Sequence, residues 1–167
     1  RTVVTLAGEL EVVCEALFAG IAEAQRSIDM RVHSGEHIRI GATDVVPIVA
    51  LEAGDPGPAV DGLAPRIATA LQIPLFLYEA SARRPAFASL PRCRRGGYEA
   101  LPERFAAAED GPDLGPDEWT LALARSGATA IGVRDVLVAM NFTLDSADRA
   151  LAERIALAIR SQGPSGR

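Results

Sequence analysis

The chain holds 167 residues, 49% of them hydrophobic and only 5% aromatic, enough for one ordinary core made mostly of Ala, Val, Leu and Ile. A formal net charge of -5 and a pI near 5.1 give no electrostatic reason to expect a nucleic-acid surface, and no apolar run is long enough to cross a bilayer. There is no lysine, which excludes a lysine Schiff base and the lysine of a phosphate-binding P-loop.

Taken in order, Thr2 to Ala7 is a short β-rich run closed by Gly8, and from Glu9 the residues Val13, Leu17, Ile21, Ala24 and Ile28 recur at helical spacing. Asp44 to Leu51 reads as a strand covered on both sides, in which Pro47 forfeits a ladder donor and marks an edge or a bulge. After the turn residues from Gly54 to Pro58, Val60, Leu63, Ile67 and Leu71 predict a second helix, and Ile73 to Tyr78 another strand. Ala80 to Gly97 is a loop holding Arg83, Arg84, Arg92, Arg94 and Arg95, which either meet an anionic ligand or are simply solvated. Tyr98 to Ala108 predicts a short helix and Glu109 to Gly115 a loop leading to Trp119, a packing residue of core or rim. Ala128 to Val133 and Val136 to Leu144 predict two strands joined through Arg134 and Asp135. Asp145 or Ser146 is expected to cap a last helix with the apolar face Ala147, Leu151, Ile155 and Ile159. This order predicts an α/β (α+β) fold: a mixed sheet of about five strands with helices mainly on one face. The organisation expected is one cytoplasmic domain, 1–163, with a flexible tail, 164–167. No basic segment leads into an apolar stretch as in a signal peptide, and the sequon at Asn141 is accidental.

The stretch from Ile28 to Leu51 carries the chemistry. Both histidines, His33 and His37, lie in it beside Ser34, Gly35, Glu36, Arg39 and Gly41, in a helix-to-strand connection where polar groups can converge on a ligand. Imidazole suits proton transfer near neutral pH, so His37 is a candidate general acid/base, with a structural loop histidine as the alternative. No metal is expected, because Gly35 argues against the helix that would align the two imidazoles and no third ligand is evident. Cys14 reads as a small buried hydrophobe. Cys93, among arginines, reads as a structural thiol, with a reactive one as the lesser alternative.

The run from His33 to Pro47, H-S-G-E-H-I-R-I-G-A-T-D-V-V-P, resembles the signature of glutamate formiminotransferases, a histidine followed by Pro-Arg, an apolar residue, Gly-Ala and Asp-Val ahead of a core strand. Further pieces follow in that family's order. They are Arg1-Thr2-Val3, Ile28-Asp29-Met30, Gly97-Tyr98-Glu99-Ala100-Leu101, Pro112-Asp113-Leu114-Gly115-Pro116, and Gly127-Ala128-Thr129-Ala130 leading into Gly132 and Arg134. Ile38 stands where the family has proline, and Ser126 where it has tryptophan.

The resemblance implies a ferredoxin-like N-terminal subdomain lacking the family's first strands and helix, and hence an open sheet edge. It implies transfer of a formimino group between N-formiminoglutamate and tetrahydrofolate, the co-substrate, in histidine degradation. His37 takes the catalytic role. By residue chemistry and position, Arg39 clamps a substrate carboxylate, Glu36 or Asp44 orients an imidazole, His33 assists, and Gly41 lets backbone approach. The implied folate contacts are Gly115, Pro116, Gly127, Ala128 and Thr129. Partners are then small molecules, with no nucleic acid and no membrane, and either a homo-oligomer or a separately supplied C-terminal subdomain is compatible. Two alternatives stand beside it: a related one-carbon or amidine transfer to another amine, and a non-catalytic ligand-binding module of the same fold.

Overall fold

Residues 2–138 and 142–159 are described in the computed structural model, where the chain divides into two compact units, Arg1–Val136 and Leu137–Arg167. Arg1, the centre of the expected Val136–Leu144 strand with the Asn141 sequon, and the expected tail, 164–167, lie outside the described residues.

In the first unit, the apolar spacing after Glu9 produces α1 (Leu10–Ser27), which stops at an extended Ile28 whose N–H still donates to the Ala24 carbonyl at 2.9 Å. α2 (Gly57–Ala70) begins with Pro58 in its first turn, where a missing N–H is harmless, and carries Pro65 in its interior. Its buried stripe is Val60, Leu63, Ala64, Ile67 and Ala68. The strands are β1 (Val45–Ile48), β2 (Leu75–Leu77) and β3 (Thr129–Val133). They form one sheet in the order β1-β3-β2 with both pairings parallel, Val46 and Leu77 flanking Ile131 from either side.

Period-two alternation then sorts the strand residues between two cores. Val46, Ile48, Leu75, Leu77 and Ile131 join Ile21 of α1 and the stripe of α2 on one face. Phe76, Tyr78, Ala128 and Ala130 join Ile40, Phe87, Cys93 and Leu101 in the other core. That second core is covered by short pieces: 3-10 turns at Glu79–Ser81, Pro85–Ala88 and Tyr98–Ala100, then α3 (Leu90–Cys93) and α4 (Leu101–Ala106). α1 and α2 therefore lie on one face, as the sequence predicts for these two helices.

The sheet is smaller than expected. Among the described residues it has three strands, and its antiparallel elements are two isolated bridges, Gly41–Gly127 and Leu75–Leu114. Thr2–Ala7 is exposed and unpaired, and the described parts of 136–144 form no strand. β-branched composition favours a pleated, half-buried surface and does not supply a partner strand. Sequence reasoning also missed α5 (Leu121–Ser126), although its signals are visible: the Thr120 hydroxyl accepts the Leu123 N–H at 3.3 Å, and Gly127 at φ 71° ends it.

The two sheet edges differ. Beyond β2, Leu75 N–H donates to the Leu114 carbonyl at 2.9 Å, and Leu77 N–H donates to the Asp113 carboxylate at 2.8 Å. β1 has no second strand partner among the described residues, and Pro47 lies exposed on it, which identifies the proline as an edge residue. The second unit contains α6 (Arg149–Ile159), none of whose residues is fully buried. Its cap is Asp148 rather than Asp145 or Ser146: the Asp148 carboxylate accepts the Leu151 N–H at 3.1 Å, and Ser146 Oγ accepts the Asp148 N–H. Among the described residues no helix is long and apolar enough to cross a membrane.

Candidate active site

The histidine loop leaves α1 at Ile28 and reaches β1 at Val45, and three segments hold it. At its start, the Met30 N–H donates to the Arg125 carbonyl at 2.8 Å, and Met30 is buried. Beside it Asp29 accepts from Arg31 at 2.6 Å, a bond that holds the Asp29 carboxyl at about 2. At its end, the Ala128 N–H donates to the Ile40 carbonyl at 2.9 Å and the Ala42 N–H to the Ser126 carbonyl at 2.8 Å. This approach requires glycine on both sides. A Cβ on Gly41 would stand 2.2 Å from the Ala128 oxygen, and one on Gly127 would stand 2.3 Å from the Ile40 oxygen. Thr129 Oγ1 adds a bond to the Thr43 carbonyl at 2.6 Å.

The third brace comes from 94–99. Arg94 grips Asp44 with two nitrogens, Nε to Oδ1 at 3.1 Å and Nη2 to Oδ2 at 2.5 Å, and also donates to the Ile38 carbonyl. Asp44 Oδ1 accepts the Ile40 N–H at 3.0 Å as well, so one carboxylate links loop backbone to brace. Tyr98 N–H donates to the Arg39 carbonyl at 2.7 Å. The Arg39 guanidinium donates to Glu99 at 2.9 Å and to the His33 carbonyl at 3.1 Å, and Arg39 holds the Glu99 carboxyl below its usual range. Tyr98 is itself fixed, its hydroxyl donating to the Ala124 carbonyl at 2.5 Å and its ring set edge-on to Trp119.

Within this frame the expected site residues separate. His33, Glu36 and His37 are exposed, and their side chains have no hydrogen-bond partner among the described residues. Arg39 is engaged with Glu99, with 17% of its side chain exposed, and its Nε alone lacks a partner. Asp44 is taken up by the brace. Gly127, Ala128 and Thr129 lie against Ile40, Gly41 and Thr43, whereas Gly115 and Pro116 line a different hollow of about 380 Å3 with Pro65, Thr69 and Gln72 at the end of α2. Sequence reasoning missed Arg94, Tyr98 and Glu99 as partners of the loop. Arg94 belongs to the arginine cluster visible in the sequence, but spacing alone does not assign it to Asp44.

The arginine loop answers its own question. Arg84 donates to Asp113 at 2.9 Å, Arg94 to Asp44, and Arg92 and Arg95 pair with Asp110, so these four tie the second face together, while Arg83 stays exposed. Burial raises the Cys93 thiol to about 11 and its Sγ donates to the Phe87 carbonyl at 3.4 Å, the setting of a structural thiol. Cys14 is half-buried against the first core. Trp119 packs against Tyr98 and Phe105. Among the described residues no group of three or more His, Cys, Asp or Glu is arranged to hold a metal ion.

The sequence model of the formiminotransferase domain, N-terminal subdomain, matches residues 1–134. The chain belongs to the formiminotransferase family. Among its relatives are a glutamate formimidoyltransferase of Streptococcus pyogenes, 39% identical over 98% of this chain and 54% of the relative, and one of Thermoplasma acidophilum, 36% identical over 97% and 54%. A formimidoyltransferase-cyclodeaminase of Rattus norvegicus is 40% identical over 98% of this chain and 30% of the relative. The chain thus spans about half the length of the shorter relatives and less than a third of the longer one. The part matched to the formiminotransferase domain includes the histidine loop and its braces at 94–99 and 126–129, and stops short of α6.

Proposed function

We propose that the protein transfers a formimino group from N-formiminoglutamate to tetrahydrofolate, with His37 as general acid/base. One observation carries the reading: the backbone from Ile38 to Ala42 is bonded at nearly every residue, while the imidazole just ahead of it is exposed and unpaired among the described residues. A fixed backbone under a free imidazole suits a group that must meet two substrates in turn. In the reaction a folate amine attacks the amidine carbon, its nitrogen sheds a proton, and the departing glutamate nitrogen gains one. A single imidazole can accept the first proton and return it to the second nitrogen.

The other roles follow from what each side chain already touches. Arg39 is turned toward the loop and can exchange Glu99 for a substrate carboxylate, since both are single anions and the existing pair is partly open to water. Asp44 acts as a brace rather than as an orienter of imidazole. His33 and Glu36 are left to assist at the exposed rim. Folate contacts are assigned to Gly127, Ala128 and Thr129 beside the loop and to Gly115 and Pro116 at the second hollow. The chain covers 54% of the S. pyogenes relative, and the reading includes a further subdomain. It also takes the setting to be cytoplasmic, where small-molecule substrates of this kind would be met. Formimino transfer measured with and without tetrahydrofolate tests it. Folate-dependent release of glutamate is expected, folate-independent release would favour another amine acceptor, and no release would favour a binding module.

A further inference from the structure

Arg104, on α4, is the least exposed charged residue among those described, at 3%. It lies under Phe76, with the guanidinium carbon 4.3 Å from the ring centroid. Nη1 donates to the Cys93 carbonyl at 2.6 Å, but Nε and Nη2 find no hydrogen-bond acceptor. A guanidinium keeps its proton, so this buried charge needs a counter-charge from elsewhere. The nearest carboxylate is shared. Arg95 donates to Asp110 Oδ2, Arg104 Nε stands 3.4 Å from the same oxygen, and Arg92 stands 3.5 Å from Oδ1, which has no hydrogen-bond partner.

A cavity of about 120 Å3 opens at this cluster, lined by Arg95, Gly96, Ala100, Glu103, Arg104 and Asp110 among others. In the lining, Arg95 and Arg104 stand against Asp110 and the exposed Glu103, and Arg92, paired with Asp110 from outside the lining, brings the cluster to three guanidiniums against two carboxylates. We propose that this cavity binds one compact oxyanion, a carboxylate or phosphate group, beside the guanidiniums of Arg95 and Arg104. The cavity volume admits a group of that size. Burial acts first to depress the Arg104 pKa, and Arg95 and Arg92 add to it against the larger opposing pull of Asp110. The proposal does not rest on the transfer reaction; Gly96 lines the cavity, while Gly97, next in the chain, faces the Arg39 carbonyl of the histidine loop.

The test is calorimetric titration of the purified protein with orthophosphate and, separately, acetate at constant ionic strength, with melting temperature followed in parallel. Saturable one-to-one binding with a rise in melting temperature is expected. Arg95→Gln, at a side chain already 57% exposed, should keep the fold and weaken binding about tenfold. Arg83→Gln, an exposed arginine outside the cluster, should leave binding unchanged. Asp110→Asn should bind the anion more tightly, because it removes the competing carboxylate, and should recover melting temperature when the anion is added. Stronger binding of acetate would identify a carboxylate ligand, and stronger binding of orthophosphate a phosphate. Absence of saturable binding, or binding equal in wild type and Arg95→Gln, would overturn the proposal.

Discussion

The two faces of the sheet are built by different means. On one, α1 and α2 lay continuous aliphatic stripes over Val46, Ile48, Leu75, Leu77 and Ile131, with no charged residue in the buried cluster. On the other, short turns and α3 and α4 carry arginines that reach over aromatic rings to isolated carboxylates, Arg84 over Phe87 at 3.9 Å and Arg104 over Phe76 at 4.3 Å. Burying an aliphatic side chain is worth about 1.5–3 kcal/mol, whereas an exposed ion pair is worth about 0–1 kcal/mol and a buried one sets its attraction against the desolvation of both charges. Area therefore stabilises from the first face, while directional bonds fix position on the second. A loop proposed to present an imidazole needs position more than area, and the histidine loop, through Ile40, lies on the second.

The comparison can be broken most directly at the histidine. His37→Ala should lower turnover by about two to four orders of magnitude with melting temperature unchanged, because general acid/base catalysis contributes on that scale. His33→Ala should do less. Near-normal single-turnover transfer in folded His37→Ala protein would remove the catalytic assignment. On the opposite face the expectation reverses: Ile67→Ala, at a fully buried position of α2, should lower stability by about 2–5 kcal/mol in urea titration and leave activity per folded molecule intact. A loss of specific activity there would mean the faces are coupled.

Gly41→Ala should show both effects at once. Its Cβ would meet backbone at 2.2 Å, so a stability loss of about 1–3 kcal/mol should accompany a fall in turnover as the loop is pushed from β3. Arg94→Lys keeps the charge but loses the two-nitrogen grip on Asp44, so turnover should fall about tenfold while stability changes by only ~1 kcal/mol. If stability alone moves, Arg94 is structural and does not position the loop. The last effect is alkaline. Cys93 and Tyr78 titrate at about 11 and about 12 because burial disfavours their anions, above ordinary values of 9.0 and 10.0. The native state then holds protons that the unfolded chain releases, so this stabilisation is intact below about pH 9 and is lost as pH rises toward 12. Melting temperature followed between those values should decline, less steeply in Cys93→Ala.

Much of this was legible because periodicity and glycine have local causes. The stripes of α1 and α2, the three core strands and the residues of the histidine loop can be read from spacing, and Gly41 marks a close approach without naming its partner. The partners were not legible. Gly127, Arg94 and Glu99 meet the loop from 50 or more residues away, across contacts that no local pattern encodes. The five arginines illustrate the limit, since sequence posed solvent against ligand and the structure answered mainly with buried or half-buried aspartates. The strand expected at Thr2–Ala7 failed for a related reason, because a strand is defined by its neighbour and the described residues supply none.

The bracing of the histidine loop by arginine has a consequence for how the protein can be studied. Guanidinium groups do not exchange protons in the range where an imidazole does, and with no lysine elsewhere the frame contributes no basic titration of its own near neutrality. A pH–rate profile is therefore read by comparing wild type with His33→Ala and His37→Ala, and a profile that keeps its shape in His37→Ala would show that this imidazole does not carry the proton. The arginine frame stays charged throughout the comparison, so a change of shape between variants belongs to the side chain removed.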